Sequence, residues 1–296
     1  MPVTAAGVPA NQKSSHTMRV FTTLFTLLIL LTLAACGGEA PQENTEAEAP
    51  VEPKVVGEKI TYQTDSTNMI GYLAYDEQAD EKKPGILVVH EWWGHNDYAR
   101  QRADMLAELG YVALAVDMYG DGQQASHPND AGKFAMSVMS NFDVAKARFE
   151  AALATLKSNP HVDPDRIGAI GYCFGGGVVL SMADAGLDLD AVASFHGTLG
   201  LPVMPEPGKI KGKILVANGA DDPFVTAEQI AAYTAAMDSA GADYKLVNYE
   251  GAVHAFTSPM ADSLGKQFGL PLAYNAEADQ KSWEEMKTLF AEVFGE

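Results

Sequence analysis

The stretch Ile170-Gly171-Tyr172-Cys173-Phe174-Gly175-Gly176-Gly177 decides the fold. The largely apolar residues 166–170 read as a strand, and residues 178–183 beyond the glycines read as a helix. Strand, sharp turn and helix around Gly-x-nucleophile-x-Gly make a nucleophile elbow, here with cysteine where serine is usual. Glycine two positions before and two after Cys173 lets the chain turn without a clashing side chain. Cys173 then points out of the turn above the sheet. The Phe174 N–H, at the helix start, faces a developing oxyanion. A thiolate, not a thiol, attacks carbonyls, so the site must also supply a base or a positive field. The same run also suits an inert cysteine packed as a small hydrophobe, and the rest of the chain decides between the two.

Two segments downstream fit the remaining roles, in the order nucleophile, acid, histidine. In Lys213-Ile214-Leu215-Val216-Ala217-Asn218-Gly219-Ala220-Asp221-Asp222-Pro223 an apolar strand runs into an acidic loop. An acid just past a strand's C-terminal end is where sites in open parallel sheets assemble. Asp222 is preferred over Asp221, as the fourth residue of Gly-x-x-Asp and the one before Pro223; both acids also suit a plain turn or the cap of a helix starting near Thr226. In Tyr244-Lys245-Leu246-Val247-Asn248-Tyr249-Glu250-Gly251-Ala252-Val253-His254 a strand ends in a loop carrying His254. This histidine is placed to take the thiol proton and return it to the leaving group, with Asp222 fixing its tautomer. A lone loop histidine is usually surface; its position behind an elbow and an acid loop favours catalysis. A fourth segment, Pro84-Gly85-Ile86-Leu87-Val88-Val89-His90-Glu91-Trp92-Trp93-Gly94, is a buried strand ending in a charged, aromatic loop. The second oxyanion donor in such a fold comes from the loop after an early strand, which makes the Trp92 N–H the candidate and brings Glu91 near the cysteine.

With His-Glu-Trp-Trp-Gly, Gly-Tyr-Cys-Phe-Gly-Gly, Gly-Ala-Asp-Asp-Pro and His-Ala-Phe in this order, the chain resembles the dienelactone hydrolase family over residues 55–294. The resemblance implies an α/β-hydrolase fold and a Cys173–His254–Asp222 triad. It also implies that Glu91 holds the resting thiol by a hydrogen bond and helps ionise it; an ordinary loop carboxylate is the alternative. One family trait is missing. Prototype dienelactone enzymes clamp the substrate carboxylate with arginines, but the corresponding stretches here, Asp117-Met118-Tyr119-Gly120-Asp121-Gly122 and His254-Ala255-Phe256-Thr257-Ser258-Pro259, contain none. Arg100 and Arg102 follow the Glu91 loop on a helix; they could reach the mouth of the site, but the favoured reading is exposed surface. Trp93, Tyr119, Phe224 and Phe256 flank the loops and suggest an apolar substrate pocket, although core packing explains each equally well.

The N-terminus is read apart from the fold. Lys13 and Arg19 precede the almost wholly apolar residues 20–34, a length suited to a signal peptide and short for a spanning helix. Leu33-Ala34-Ala35-Cys36-Gly37 resembles a bacterial lipobox, which implies cleavage before Cys36 and lipidation of its thiol. An ordinary secretory signal cut near Ala35 and an uncleaved anchor are the alternatives, and Met18 is a second candidate start. Several acyl chains on Cys36 would hold the protein firmly to a membrane. In lipoproteins of this kind the non-acidic Gly37 favours the outer membrane. Residues 39–53 are acidic, contain proline and have almost no large apolar side chain, so they read as an extended tether. The expected organisation is a leader over residues 1–35, a lipidated cysteine and tether over 36–54, and a hydrolase domain over 55–296.

There are only two cysteines. With Cys36 lipidated, Cys173 is left unpaired in an exported protein, a liability unless protected or used. The net charge is −19; losing Lys13 and Arg19 from the 20 basic residues, against 39 acidic ones, takes it to about −21. Such a surface repels nucleic acid and argues mildly against polyanionic substrates. No cofactor or metal is expected, since His90, His95, His127, His161 and His196 are scattered without ligand spacing.

Alternating strand and helix patterns predict a mainly parallel twisted sheet flanked by helices. An opening hairpin is expected at 59–64 and 69–75, with further strands at 86–90, 111–117, 167–171, 191–195, 214–217 and 244–249. Helices are expected at 97–109, 142–157, 174–183, 227–240 and 276–294, with Gly110 closing the first. Residues 120–140 show no clean period and are expected to form part of a lid. The leading reading is a membrane-tethered cysteine hydrolase of a lactone or small ester; its rival is a non-catalytic envelope module that keeps the fold. The sequence leaves the oligomeric state open.

Overall fold

Continuous apolar runs force the centre of this molecule to be a parallel sheet buried on both faces. The computed structural model describes residues 52–64 and 66–295. Its strands are β1 (Val55–Gln63), β2 (Asn68–Asp76), β3 (Lys83–Val89), β4 (Val112–Val116), β5 (Val162–Tyr172), β6 (Ala191–Phe195), β7 (Lys213–Gly219) and β8 (Tyr244–Tyr249). They form one eight-stranded sheet in the order β1-β2-β4-β3-β5-β6-β7-β8. β1 pairs antiparallel with β2, and β2 with β4; every later pairing is parallel. The α/β-hydrolase expectation therefore holds, with β1 starting four residues earlier than the hairpin pattern suggested.

Seven helices connect the described strands: α1 (Asp97–Glu108), α2 (Pro128–Met139), α3 (Phe142–Lys157), α4 (Phe174–Asp184), α5 (Ala227–Ala240), α6 (Ala261–Phe268) and α7 (Ala276–Phe294). Five of their starts, all but those of α4 and α6, are capped by a side chain. Asn141 and Asn275 accept N–H bonds from Val144 and Ala278, and Thr226 with Gln229 forms a capping box on α5. Alternation along β3 sends Leu87 and Val89 into one core with Phe149 of α3, Val178 of α4 and Tyr233 of α5. Ile86 and Val88 go to the other face, with Leu106 of α1 and Phe290 of α7. The five expected helices are present. α2 occupies part of the stretch expected to be a lid, and α6 was not anticipated. The leader, Cys36 and the tether up to Val51 lie outside the described residues. Among the described residues no helix is long and apolar enough to cross a membrane.

Candidate active site

The parallel strands all end on one side, and the chemistry-bearing loops gather there. β5 runs into Cys173, whose N–H donates to the Phe195 carbonyl at 3.0 Å, and α4 begins at Phe174. Cys173 has φ 52° and ψ −115°, a conformation that L-residues rarely adopt. The flanking glycines are demanded by space. A Cβ at Gly171 would lie 2.1 Å from the Gly175 carbonyl oxygen, and one at Gly175 would lie 2.3 Å from that of Val89.

The His254 loop follows β8 and the Asp222 loop follows β7. His254 Nε2 lies 3.1 Å from Cys173 Sγ, and its Nδ1 lies 2.7 Å from Asp222 Oδ2. Asp222 is buried and its Oδ1 accepts the Phe224 N–H, while Asp221 is exposed. An ionised Asp222 accepts only, so Nδ1 carries a proton and Nε2 faces the thiol. Burial pulls the His254 pKa down, but the neighbouring Cys173 and Asp222 outweigh it and raise it to about 10. That environment favours the protonated form of His254.

Glu91 is buried and lines the same cavity as Cys173. Burial pushes its carboxyl up to about 7, against the opposing pull of His254 and Arg102. The thiol's hydrogen bond in this structure goes to His254; the bond to Glu91 that the resemblance implies for a resting thiol is not the one formed. The preceding His90 fixes the loop. Its Nε2 accepts the Met118 N–H at 3.2 Å, so Nδ1 donates to the Glu91 carbonyl at 2.5 Å. Burial lowers its pKa to about 4 and keeps it neutral. Phe174 N–H opens a helix and has no helical acceptor before it. Trp92 lines the cavity beside Phe174.

The cavity over the thiol measures about 300 Å³. Of the expected pocket residues, Trp93 and Phe224 line it, and the Phe224 ring stands edge-on to His254 at 5.0 Å. Tyr119 and Phe256 do not. Tyr119 is buried behind the wall against His90 and Phe174, and its hydroxyl donates to the Trp92 carbonyl. Phe256 is fully buried in the core against His196 and Tyr249, because Ala255 takes φ 59° and turns the chain inward. The wall contains residues the sequence reading missed: Ala135, Met136 and Met139 of α2, and Leu270 and Leu272 beyond α6. Pro128 at the first turn of α2 was an available signal. Leu272 gave none; a bridge to His254 brings it in.

Arg102 corrects a second expectation. It is buried, not surface: its guanidinium pairs with Asp279 at 2.6 Å and donates to the Thr257 carbonyl at 2.8 Å. Arg100 is half-buried and bonds Asp97 and the His95 carbonyl. Among the described residues no group of His, Cys, Asp or Glu is arranged to hold a metal ion. A wider groove of about 1110 Å³ between β8 and α7 is lined by none of Cys173, His254, Asp222 and Glu91.

The family model described as the dienelactone hydrolase family matches residues 69–294. "Protein usf" of Aquifex pyrophilus is 30% identical over 207 residues, 68% of this chain and 87% of that protein. The solved structure of m3DLH superposes with a TM-score of 0.77 at 40% identity, covering 81% of this chain and 98% of that one. A dienelactone hydrolase-like promiscuous phosphotriesterase from metagenomic libraries gives a TM-score of 0.74 at 36% identity, with the same coverage.

Proposed function

The chain belongs to the dienelactone hydrolase family, a family of lactone and ester hydrolases, and from that premise we propose a cysteine-dependent mechanism through an acyl-enzyme on Cys173. The observation that carries this reading is the hydrogen-bonded chain Asp222–His254–Cys173, at 2.7 and 3.1 Å, opening into an apolar cavity.

Cys173 Sγ gives its proton to His254 Nε2, and the thiolate attacks the carbonyl carbon. The displaced electron pair moves to oxygen, which the N–H groups of Phe174 and Trp92 receive. The C–O bond then breaks, and the imidazolium proton passes to the departing alkoxide. In a lactone that alkoxide stays tethered to the acyl group, so the ring opens on the enzyme. Water next loses a proton to His254 and attacks the thioester, the C–S bond breaks, His254 returns the proton to the Cys173 sulfur, and the acid leaves. Asp222 keeps the imidazole in the tautomer this sequence needs and stabilises its charge. Glu91, which lines the same cavity as the thiol, helps to ionise it when substrate arrives. An uncharged phosphotriester offers the same thiolate an electrophilic phosphorus; the metagenomic relative described as a phosphotriesterase is the reason to try one.

Membrane attachment through lipid on Cys36, with residues 37–54 as spacer and the outer membrane of a bacterial envelope as location, belongs to the same proposal and rests on the lipobox-like Leu33-Ala34-Ala35-Cys36. Radiolabelled fatty acid should enter the wild type and not Cys36→Ser, which should leave the membrane fraction; equal labelling would overturn the anchor. The enzyme reading is tested by hydrolysis of a nitrophenyl acetate, a dienelactone and several neutral lactones, wild type against Cys173→Ala. Turnover that vanishes in the variant supports it. No turnover from two folded, otherwise identical proteins would favour a binding module.

A further inference from the structure

Granting the cysteine hydrolase reading, we propose that its substrates are uncharged, with an apolar acyl group, and that the site selects against a substrate carboxylate. The walls that meet a bound acyl group are Trp93, Met136, Met139, Phe224, Leu270 and Leu272. Among the described residues, no lysine or arginine lines this cavity. Its charged members are Glu91 and His254, both already engaged in the chemistry proposed above.

The nearby arginines cannot substitute for a clamp. Arg102 is committed to Asp279 and the Thr257 carbonyl, with its guanidinium packed over Tyr98, Tyr172 and Trp283. Arg100 is tied to Asp97 and the His95 carbonyl, and it lines a different cavity together with Lys59 and His95. Arg148 spends its guanidinium on the carbonyls of Met118 and Tyr119. A carboxylate carried into the cavity would therefore lose its hydration without gaining a lysine or arginine partner. It would also approach Glu91, which burial already makes reluctant to ionise. The protein's net charge of −19 opposes its arrival from solution as well.

The size and surface of the cavity define what replaces the anion. At about 300 Å³ it lies at the lower end for small-molecule sites, so the acyl part is compact. Met136 and Phe224 are 69% and 49% exposed at the rim, a flexible thioether and an aromatic face left open to solvent. Such a rim accepts varied apolar shapes and presents no hydrogen-bonding partner to a charged one.

The test is a matched pair: a dienelactone carboxylate and its primary amide, alike in shape and differing in charge. Full-length protein in detergent would be assayed by loss of lactone absorbance, beside Cys173→Ala. The expected result is a kcat/KM for the amide about a hundredfold above that for the carboxylate, the scale set by an unpaired buried charge. Met136→Arg adds a cation at the rim on an exposed position, and should shift the amide-to-carboxylate ratio about tenfold toward the carboxylate. Cys173-dependent turnover of the carboxylate equal to or faster than that of the amide would overturn the charge selection and leave the cysteine mechanism standing. Turnover of neither, or turnover that survives Cys173→Ala, would overturn the mechanism itself.

Discussion

Replacing Glu91 with glutamine should make the protein more stable and the enzyme slower, with a stability gain that grows with pH. Burial raises the Glu91 pKa from 4.5 to about 7, so its folded value lies above its unfolded one. Well below the ordinary carboxyl range the side chain is protonated in both states, and it resembles glutamine in size and neutrality. As pH rises, the unfolded chain ionises first, and the folded state loses stability until the pH passes about 7. The shift of roughly 2.5 units corresponds to a full penalty of about 3 kcal/mol, without a discount for solvent because the group is buried. Between about pH 5.5 and about pH 8.5, linkage puts close to 2 kcal/mol of that penalty in the measured window. Urea unfolding of wild type and Glu91→Gln at both pH values gives the double difference, in which the titrating groups that do not interact with Glu91 cancel. The variant's advantage should rise by about 2 kcal/mol, or by several degrees in Tm for a domain of this size. Its kcat/KM should fall by about a hundredfold. A difference that stays flat with pH would refute the picture of an isolated buried acid, as would a wild type more stable than the variant at the higher pH.

Asp222→Asn keeps an acceptor for the Phe224 N–H, so circular dichroism should be unchanged while kcat falls by about a thousandfold or more. Unchanged turnover would remove Asp222 from its role. Cys173 should react with iodoacetamide at neutral pH at least about tenfold faster in the wild type than in His254→Ala, because His254 Nε2 lies 3.1 Å from the sulfur, within reach of its proton. Equal rates would mean that His254 does not activate it. Gly175→Ala drives a Cβ against the backbone carbonyls of Val89 and His90, which cannot step aside, and should cost activity and soluble yield together. Gly132→Ala on α2 is the control: its Cβ meets nothing within 4 Å and should stabilise by about 1 kcal/mol. Parallel losses in both variants would refute the steric argument at the elbow.

The parts legible in the sequence are those where one local rule acts alone. β4 and β6 are buried at every position, so an unbroken apolar run was enough to find them. The elbow was legible because Gly171 and Gly175 are required by contacts within six residues or with the adjoining strand. The cavity wall was not. α2 does carry an apolar stripe, Ala131, Phe134, Ala135, Val138 and Met139, but Gly132 and the exposed Met136 interrupt it in the sequence. α6 is only eight residues long, so its apolar face of Ala261, Leu264, Gly265 and Phe268, with two small members, gives a short signal. Phe256 lies two residues from His254, yet the left-handed turn at Ala255 sends it to the opposite side. Closeness in sequence to a functional residue carries little information across such a turn.

Arg102 was the deepest of these misreadings, and its position explains how separate loops become one site. Its partner Asp279 is 177 residues away, so no local pattern on α1 could distinguish it from an exposed charge. The guanidinium packs over the ring of Tyr172, the residue before Cys173, at 5.3 Å. It also holds the carbonyl of Thr257, three residues beyond His254. The Thr257 hydroxyl is in turn shared between the Tyr98 hydroxyl at 2.6 Å and His196 Nε2 at 2.7 Å, and the His196 ring stands 5.3 Å from that of His254. One buried cation thus touches the segment of the nucleophile and the segment of the base, and its field opposes the rise of the Glu91 pKa. A charge in that place is costly unless every donor is used, and here carboxylate, carbonyl and aromatic faces surround it. Fixing both loops from beneath holds sulfur and imidazole at bonding distance before substrate arrives, which is where preorganisation lowers a barrier. The same commitment keeps the Arg102 guanidinium turned away from the cavity over Cys173, which it does not line.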